Sequence, residues 1–494
     1  MSSARPNRDA FWTRRTVMLI ALLLVFRVVM LLVNPTGLHG DEAQYWAWSR
    51  EPAFGYYSKP PGIAWVIAAT TAVFGHDEWA VRLASPLLHT GSAVFTALTA
   101  RRLWGAKAGW LAAASYALMP GVSLSASLIS TDALLLFFVT LAVFAWVRLR
   151  KSRSWTDALL LGVAVGCGMM SKYAMMFVLP ALVGAVLLEP RTRAALLGWK
   201  GLASACVAGL ILLPNLIWNA RNSFATVKHT GDNANMSGGL GLDPGEVLEF
   251  IGGQFGVFGP LAFPLLIVAL WHWRRSRGLP LWFVVAVLSP LLVISLQALL
   301  SRANANWAAA AYGIAPLLLA GWAITSRRAM LWTLAAIGIN AIFAIAGPLV
   351  MMSPAQMDRM GLAGTVERLR GWPETAARLR TAAIDAGAET IAVDNRLLFY
   401  DLLYYGMEDT ADLRMWRFEP ELNNHAELTR PLEIGADRVL LVSYYSDYAP
   451  YFAADFESLT RIGEVEIPLG GGDPRKLTLY RADGYLGPRE RTDR

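Results

Sequence analysis

About eleven apolar segments follow one another between residues 16 and 351, and this succession constrains the fold more strongly than any other feature. An α-helix needs roughly 20 mostly apolar residues to cross a bilayer. The segments are 16–33, 83–103, 108–125, 131–149, 156–171, 173–189, 200–218, 249–272, 280–300, 306–325 and 329–351. They predict a mostly α, polytopic bundle of membrane-spanning helices, with the run 62–75 as an additional interfacial or re-entrant segment.

Composition agrees with a membrane protein and excludes several other classes. Apolar residues make up 55% of the chain and charged residues 16%, whereas soluble domains carry about 25% charged residues. The net charge of +7 does not indicate nucleic-acid binding, because the basic residues lie in short loops. Cys167 and Cys206 lie inside apolar runs, so we expect neither a structural disulfide nor a cysteine metal site. The first apolar run lacks a small-residue cleavage site and is interpreted as a retained helix.

Basic residues indicate which loops lie on the same side of the membrane, because cytoplasmic loops carry most Lys and Arg. Clusters occur in alternating loops, at Arg14-Arg15, Arg101-Arg102 with Lys107, Arg148 to Arg153, Arg191 and Arg193, Arg274 to Arg277, and Arg327-Arg328. We expect these loops in the cytoplasm. The loops 34–82 and 219–248, together with the tail after residue 351, are then expected outside.

The segment from His39 to Gly62, HGDEAQYWAWSREPAFGYYSKPPG, carries chemistry that a simple membrane anchor does not need. Asp41 and Glu42 form an adjacent carboxylate pair. Aromatic residues follow at Tyr45, Trp46, Trp48, Tyr56 and Tyr57. A carboxylate in a partly dry, aromatic-lined site has a raised pKa and accepts protons better. The alternatives are solvated carboxylates or a helix N-cap.

Lys59 precedes Pro60-Pro61, and the prolines restrict the backbone around it. An ammonium group held at a membrane surface suits a phosphate. The nearby rings suit a sugar, or simply the membrane interface, where Trp and Tyr are enriched. The carboxylate pair could also help to hold a divalent metal, for which His39 is the other ligand type close in sequence.

Basic residues are scarce in the loops expected outside. They are Arg50, Lys59, Arg82, Lys172, Arg221, Lys228 and Arg302. Because the positive-inside bias works against them, some are candidates for binding an anionic ligand. The alternative is that they are ordinary cations at the level of the lipid headgroups.

Two short polar motifs interrupt the apolar runs. Ser130-Thr131-Asp132 opens one run and is either a helix cap or part of a site. In Ser171-Lys172-Tyr173, the lysine lies within a membrane segment and is a functional candidate, although a tight helix connection explains it too. The polar loop 219–248 is long enough to order over a substrate, and Asp243 before Pro244 predicts a helix start.

Residues 352–494 differ in composition and predict a small soluble α/β domain on the outer face. Residues 365–386 show a helical pattern that Gly387 ends, whereas 390–394, 439–443 and 476–481 have strand patterns. The segment shows no nucleotide loop, catalytic triad or metal-ligand spacing. It predicts a lid or docking platform rather than a second enzyme.

In this order, the motifs resemble those of bacterial membrane glycosyltransferases of the GT-C fold. They are Asp-Glu-Ala-Gln-Tyr-Trp, Tyr-Tyr-Ser-Lys-Pro-Pro-Gly, Ile-Ser-Thr-Asp-Ala and Ser-Lys-Tyr, all within residues 16–350. The branch includes protein O-mannosyltransferases, the lipid A aminoarabinose transferase, and lipid A and lipopolysaccharide-core galacturonosyltransferases. The stretches 229–236 and 248–260 resemble the galacturonosyltransferase subgroup most.

This resemblance implies a polyprenyl phosphate sugar as donor and an acceptor reached from the periplasm of a bacterial inner membrane. It implies that Asp41 is the catalytic carboxylate, that Lys59 contacts the donor phosphate, and that Asp132 is a further acidic site residue. Glu42 is counted with the catalytic carboxylates. The substrate-binding candidates are Tyr45, Tyr57, Arg82, Lys172, Lys228, His229 and Arg302. The aminoarabinose transferase has a metal-binding glutamate where this chain has Ser58, so a metal is not implied.

Three function classes follow. The first is an inverting glycosyltransferase, for which galacturonic acid is the expected sugar and lipid A or lipopolysaccharide core the expected acceptor. Aminoarabinose, mannose or another hexose, another envelope glycan, and a protein acceptor as in a protein O-mannosyltransferase remain open. The second class is a transporter for a lipid-linked substrate, although no internal repeat of the kind transporters show is visible. The third is a non-catalytic assembly protein.

Overall fold

The computed structural model describes residues 4–233, 242–272, 281–445 and 447–491. The chain divides into two compact units. Unit 1 comprises 1–33, 59–66 and 82–349, and unit 2 comprises 34–58, 67–81 and 350–494. Two segments of the predicted loop 34–82 therefore cluster with the C-terminal residues. The predicted basic cluster 274–277 and part of the stretch 229–236 lie outside the described residues.

Unit 1 is built of helices. They are Ala4–Leu32, Ala84–Trp104, Ala106–Ala117, Pro120–Ser125, Thr131–Ser152, Trp155–Ser171, Val178–Leu188, Pro190–Leu196, Trp199–Arg221, Ala225–Asn233, Pro244–Phe258, Ala262–Trp271, Leu281–Leu300, Ala309–Tyr312, Ala315–Ala323 and Arg327–Met351, with 3-10 turns at Tyr173–Phe177 and Ala305–Ala308. Helices Gly62–Phe74 and Glu78–Arg82 belong partly to each unit.

Five of the described helices are long and apolar enough to cross a membrane, or up to seven spans if each of two bent pairs counts as one. The chain is therefore a multi-pass membrane protein. Other segments among the predicted eleven form shorter or interrupted helices, such as Trp155–Ser171, which has 17 residues. Gly62–Phe74 has only 13 residues, too few to cross a bilayer. The exact number of spans stays a prediction.

Proline and glycine explain why some predicted spans are interrupted. The run 108–125 forms two helices, because Pro120 starts a new helix after Ala117. The run 249–272 bends by 103° between Pro244–Phe258 and Ala262–Trp271. Gly259 lies at that bend with φ +115°, a backbone region that favours glycine.

Helix Thr131–Ser152 is the centre of unit 1. The apolar window of this helix is 83% buried, compared with 11% for helix Trp199–Arg221. A helix that is apolar on all sides belongs in the interior of a bundle. The ring of Trp146 on this helix stacks on the ring of Trp282 from helix Leu281–Leu300, with centroids 4.1 Å apart. Asp132 at the start of this helix is therefore held by the best-packed element of the unit.

Small residues allow the helices of unit 1 to approach closely. A Cβ atom at Gly162 would lie 2.5 Å from the backbone oxygen of Ser204, and one at Gly166 would lie 3.0 Å from Cα of Ala208. Ser204 Oγ also donates to the carbonyl of Ala158 at 2.7 Å. Such small-residue contacts and interhelical hydrogen bonds drive helix association in lipid, where hydrophobic burial does not.

Unit 2 contains a mixed five-stranded sheet with the order β2-β1-β3-β5-β4. Its strands are β1 Thr390–Val393, β2 Asp412–Met415, β3 Val439–Ser443, β4 Phe456–Ile467 and β5 Arg475–Tyr485. β1 runs parallel to β2 and β3, whereas β5 runs antiparallel to β3 and β4. The helices that lie wholly in unit 2 are Gly40–Arg50, Pro354–Arg359, Ala363–Val366, Trp372–Ala386, Arg396–Tyr404, His425–Thr429 and Ala449–Asp455, with 3-10 turns at Glu367–Leu369 and Met407–Asp409.

The sequence predicted the buried strands of unit 2 better than its other elements. β1 and β3 are confirmed, and β5 is longer than the predicted 476–481. β2 and β4 were not predicted; β4 is an edge strand whose side chains are mostly exposed, so it lacks an apolar pattern. The predicted helix 365–386 begins only at Trp372, because Gly371 adopts φ +73° before Pro373. Gly387 ends it with φ +64°, as predicted.

The carboxylate of Asp394 joins the ends of β1 and β3. It accepts hydrogen bonds from Ser443 Oγ at 2.7 Å and from the backbone nitrogen of Tyr444 at 2.9 Å. Burial raises the pKa of Asp394 to about 6, although these hydrogen bonds oppose the shift. The folded chain therefore binds this proton more tightly than the unfolded chain does.

We predict that Asp394→Asn removes a pH-dependent part of the stability of the sheet. Because the pKa of Asp394 is higher in the folded chain than in the unfolded chain, its protonation adds to the free energy of unfolding. This addition is complete below pH 4 and is lost as the pH rises through about 6. The loss is at most about 3 kcal/mol, at roughly 1.4 kcal/mol per pKa unit. Hydrogen exchange of the β1 and β3 amides between pH 4 and 7 measures it. Equal pH slopes in the wild type and the variant would contradict the assignment.

Candidate active-site residues

Asp41 lies in the first turn of helix Gly40–Arg50, which His39 caps. The backbone nitrogen of Asp41 donates to His39 Nδ1 at 3.1 Å, and the backbone nitrogen of His39 donates to Glu42 Oε2 at 2.9 Å. This reciprocal pair is a capping box. Glu42 is 2% exposed, so the capping alternative describes Glu42, whereas the Asp41 side chain remains 43% exposed. Of the two carboxylates, Asp41 is the one that a ligand can reach.

Arg396 provides a cation beside the Asp41 carboxylate. Its Nη1 lies 3.2 Å from Asp41 Oδ1 and donates to Gln44 Oε1 at 2.6 Å. Arg396 begins helix Arg396–Tyr404, and Asn395 caps this helix by accepting from two backbone nitrogens. Since both charged side chains are about two-fifths exposed, the pair contributes little to stability. Its geometry leaves both charges accessible to a ligand.

Gly40 allows the two helices to meet. A Cβ atom at Gly40 would lie 2.7 Å from Cβ of Leu397 and 3.1 Å from Asp401 Oδ2. Asp401 is fully buried, and neither of its carboxylate oxygens accepts a hydrogen bond from a described residue. Burial raises the pKa of Asp401 well above its usual range; Arg475 opposes this shift, whereas Glu42 and Asp41 add to it. A buried carboxyl group whose protonated form is favoured by burial therefore lies behind the helix that carries Asp41.

Tyr405 fixes the chain just before this helix. Its hydroxyl accepts from the backbone nitrogen of Leu38 at 3.1 Å and donates to Glu78 Oε1 at 3.1 Å. The backbone nitrogen of Gly37 donates to the carbonyl of Leu369 at 2.9 Å. Residues of the C-terminal part of the sequence thus hold two successive residues of the segment that leads into Asp41, Gly37 and Leu38.

The aromatic residues of the segment pack inside unit 2. Trp48 and Tyr56 stack with centroids 4.5 Å apart, and both rings contact His425 edge-on. Tyr45 is 6% exposed, and the Tyr57 hydroxyl donates to the carbonyl of Leu422. Burial lowers the pKa of His425 to about 4, so this ring is neutral at neutral pH. The cluster is mainly structural, and substrate-binding roles for Tyr45 and Tyr57 stay predictions.

In unit 1 the structure brings Lys172 and Asn306, which are distant in the sequence, together around Asp132. Lys172 Nζ lies 2.6 Å from Asp132 Oδ1, and Asn306 Nδ2 donates to Asp132 Oδ2 at 2.7 Å. Ser130 is the N-cap residue of this helix but makes no capping hydrogen bond through its side chain. Asp132 therefore forms an ion pair rather than the cap that was the alternative.

The segment that follows Lys59 packs against the backbone that leads to Lys172. A Cβ atom at Gly62 would lie 2.8 Å from the carbonyl oxygen of Met170 and 3.2 Å from Cα of Ser171. Helix Trp155–Ser171 ends there, as the Ser-Lys-Tyr motif predicted. Only glycine allows this close approach, so the position of the Lys-Pro-Pro-Gly motif depends on the same helix end that presents Lys172.

Gln254 supports the turn that carries Asn306. Its Nε2 donates to the carbonyl of Ala305 at 3.3 Å, and its Oε1 accepts from the Tyr312 hydroxyl at 2.5 Å. A Cβ atom at Gly253 would lie 2.7 Å from Cβ of Ala305. Sequence reasoning missed Gln254 and Asn306. The available signal was an uncharged polar side chain inside an apolar helix, which seeks an internal partner.

The remaining predicted residues are more dispersed. Arg82 is 1% exposed. Lys228 and His229 lie on helix Ala225–Asn233, and Arg302 follows helix Leu281–Leu300. Among the described residues, neither Lys228 nor Arg302 forms a hydrogen bond or an ion pair with Asp132, Lys172 or Asn306 through its side chain. Substrate-binding roles for these four residues stay predictions.

The described ranges contain no cluster of three or more His, Cys, Asp or Glu side chains able to hold a metal ion. The Asp41 carboxylate faces a guanidinium instead. The described side chains therefore do not fit the divalent metal that the carboxylate pair suggested, and no chemical step is assigned to one.

Comparisons with known proteins agree on one family. Residues 58–218 match the family described as dolichyl-phosphate-mannose-protein mannosyltransferase. Over 398 residues, the chain is 37% identical to a lipid A galacturonosyltransferase of Rhizobium johnstonii, covering 79% of this chain and 82% of that protein. It is 31% identical over 207 residues to a lipopolysaccharide core galacturonosyltransferase of the same organism, covering 41% of each.

The fold is similar to that of a solved structure. ArnT from Cupriavidus metallidurans, crystallised with undecaprenyl phosphate, superimposes with a TM-score of 0.67 and covers 96% of this chain and 99% of that chain. The sequence identity of 17% makes this a likeness of fold alone. It confirms a helical membrane part joined to a small C-terminal sheet domain.

We predict that Gly253→Ala disturbs the turn 305–308, whereas the neighbouring Gly252→Ala does not. The new methyl group at Gly253 would overlap Ala305, but nothing lies within 4 Å of a Cβ at Gly252. Overpacking costs about 1–3 kcal/mol, whereas alanine in place of an exposed helical glycine gains up to about 1 kcal/mol. Unfolding of the detergent-solubilised chain and hydrogen exchange at 305–312 measure both effects. Equal behaviour of the two variants would contradict the packing described.

Proposed function

The chain belongs to the family of GT-C membrane glycosyltransferases that take their sugar from polyprenyl phosphates, and we propose that it transfers galacturonic acid to lipid A. Membership of this family makes it an enzyme and sets aside the transporter and assembly-protein hypotheses. The proposed location is a bacterial inner membrane, with Asp41 and unit 2 on the periplasmic side. The similarity to a lipid A galacturonosyltransferase over most of both chains supports this choice of sugar and acceptor.

The observation that carries the proposal is the accessible Asp41 carboxylate beside the Arg396 guanidinium, 3.2 Å apart. In the proposed reaction, an acceptor hydroxyl attacks the anomeric carbon of the sugar and gives its proton to Asp41. The bond from this carbon to the phosphate oxygen breaks, and polyprenyl phosphate leaves with the electron pair. A single displacement inverts the anomeric centre. General base catalysis of this kind contributes about 10²–10⁴-fold.

Arg396 supports an acidic sugar. A guanidinium binds a carboxylate through two parallel hydrogen bonds, so the carboxylate of a uronic acid can compete with Asp41 for Arg396. When the substrate takes this cation, the sugar is held beside Asp41, where the acceptor hydroxyl can give up its proton. A neutral hexose offers no such exchange, and an amino sugar would be repelled.

The phosphate leaving group needs a cation, and Lys59 is proposed for this role on the strength of the Lys-Pro-Pro motif. The alternative within unit 1, Lys172, already has its charge offset by Asp132 at 2.6 Å. We assign the Asp132–Lys172 pair to positioning, because it joins the start of the central helix to the helix end against which the segment after Lys59 packs.

Replacing Asp41 with Asn is expected to lower sugar transfer by at least about 100-fold, because the amide cannot accept the proton. Transfer of radiolabelled sugar to lipid A by the purified chain measures the loss. Asp385→Asn, at an exposed helical position of the same unit, is the matched control and should keep full activity. Full transfer by the Asp41 variant would argue against its role as base.

We expect Arg396→Gln to lower kcat/KM for a uronic acid donor by about tenfold or more, since it removes a charge-assisted pair worth roughly 1.5–3 kcal/mol. Arg396→Lys should recover part of it, because the charge remains without the planar fork. Arg378→Gln, which breaks an exposed pair with Glu374, is the control. An equal loss with a neutral hexose donor would refute sugar recognition by Arg396.

Mass spectrometry of lipid A from a deletion strain tests the acceptor and the sugar together. The expected result is a loss of one hexuronate from lipid A, restored by the wild-type gene and not by Asp41→Asn. An unchanged lipid A with a hexuronate missing from the core would move the acceptor, and loss of a different sugar would overturn the choice of galacturonic acid.

A further inference from the structure

A basic cavity lies in unit 1 at the opposite end of the central helix from Asp132. Its volume is about 950 Å³. Its lining comes from the ends of helices Ala84–Trp104 and Thr131–Ser152, the start of Trp155–Ser171, and Pro190–Leu196. Asp132 and Arg148 are 16 positions apart on one helix, which corresponds to about 24 Å. The cavity is therefore distinct from the Asp132–Lys172–Asn306 cluster.

The cavity carries more positive charge than the protein neutralises. Its six lining cations are Arg102, Arg148, Arg150, Lys151, Arg153 and Arg191. Two of these cations form ion pairs with carboxylates: Arg148 lies 2.6 Å from Asp157, and Arg150 pairs with Glu189. Within the described ranges the other four cations form no ion pair. Like charges gathered around one space attract an anion.

Arg153 occupies a backbone position that arginine adopts rarely. It follows helix Thr131–Ser152 with φ +48° and ψ +34°, in the left-handed region. Glycine is the usual residue there, because it has no Cβ to clash. A non-glycine residue held in this conformation is a recurrent feature of functional sites. Here the strained position holds a guanidinium at the cavity.

Two exposed tryptophans lie at this end of unit 1, at the starts of helices Trp155–Ser171 and Trp199–Arg221. Trp155 and Trp199 are 53% and 79% exposed, and Lys200 Nζ lies 5.7 Å from the centroid of the Trp155 ring. Tryptophan is enriched where hydrocarbon meets water. Helix Thr131–Ser152 is itself long and apolar enough to span the bilayer, so its last turn reaches the interface.

We propose that this cavity binds the phosphate-bearing headgroup of an anionic phospholipid. The surplus guanidinium groups suit phosphate oxygens, and the interfacial rim gives a headgroup access while its acyl chains stay in the bilayer. The ligand is a membrane lipid rather than a soluble phosphate or nucleotide. The site would anchor the end of the central helix and is separate from sugar transfer.

Titration of the purified full-length chain in an uncharged detergent tests the proposal. The probes are phosphatidylglycerol and, for comparison, phosphatidylcholine, with thermal unfolding and native mass spectrometry as readouts. Phosphatidylglycerol is expected to stabilise the chain and to remain bound, whereas phosphatidylcholine does neither. No preference for the anionic lipid by the wild-type chain would overturn the proposal, whatever the variants do. Equal stabilisation by inorganic phosphate or ATP would also overturn it, because the ligand would then be soluble.

The double variant Arg153→Gln with Arg191→Gln should weaken phosphatidylglycerol binding by about 25-fold, at roughly fivefold per cation near the surface. The matched control is Arg327→Gln with Arg328→Gln, an exposed basic pair at the start of helix Arg327–Met351, which removes the same charge outside the cavity lining and should bind as the wild type does. An equal loss of phosphatidylglycerol binding in both double variants would show that the lipid responds to positive charge in general and not to this cavity, which would contradict the proposal. Lys151→Gln alone, expected to lose about fivefold, serves if the first double variant does not fold.

Discussion

A glycine contact brings Asp41 next to its cation. At Gly40 no side chain fits, because Leu397 and Asp401 occupy the space where a Cβ would lie. The helix that begins at Gly40 therefore packs closely against the helix that begins at Arg396, and the starts of the two helices are adjacent. One consequence is the Asp41–Arg396 pair, with both charges accessible. Another is the burial of Asp401, which raises the pKa of this carboxyl group because its charge would be unsolvated.

The proposed chemistry uses this arrangement in a simple way. The guanidinium of Arg396 faces the exposed Asp41 carboxylate and is accessible to a second carboxylate. An acidic sugar brings its own carboxylate, so in the proposed mechanism this guanidinium would hold the substrate beside Asp41. In unit 1, by contrast, the carboxylate of Asp132 is committed to Lys172 and Asn306. That pair joins helix ends, and Lys59 stays the proposed partner of the phosphate.

Sequence patterns predicted the elements whose signals are local. The apolar runs, the helix start at Asp243 and the break at Lys172 are present as expected. β1 and β3 were recognisable because they are buried on both faces. The breaks at Pro120 and Gly259 were not recognisable, because a local bend changes the apolar pattern too little. The edge strand β4 was not recognisable either, because an exposed strand lacks an apolar pattern.

The residues of the site divide in the same way. Asp41, Asp132 and Lys172 stood out because a charge beside an apolar run is conspicuous. Arg396 was missed because it is one of many arginines in a polar segment, and only the packing at Gly40 gives it a special neighbour. Asn306 and Gln254 were missed because amides in the membrane are recognised by their partners, which are distant in sequence. The role of Glu42 as a capping residue needed the helix geometry.

Unit 2 draws on two distant parts of the sequence, and this has a consequence for biogenesis. Residues 34–58 leave the ribosome early, whereas Leu369, Arg396 and Tyr405, which hold them, come more than 300 residues later. At about 5–20 residues per second, synthesis of the intervening chain takes roughly 15–60 s. During that interval the helix that bears Asp41 lacks its packing partners. The helix that bears Asp41, the proposed proton acceptor, therefore lacks these contacts until the chain has been made as far as Tyr405.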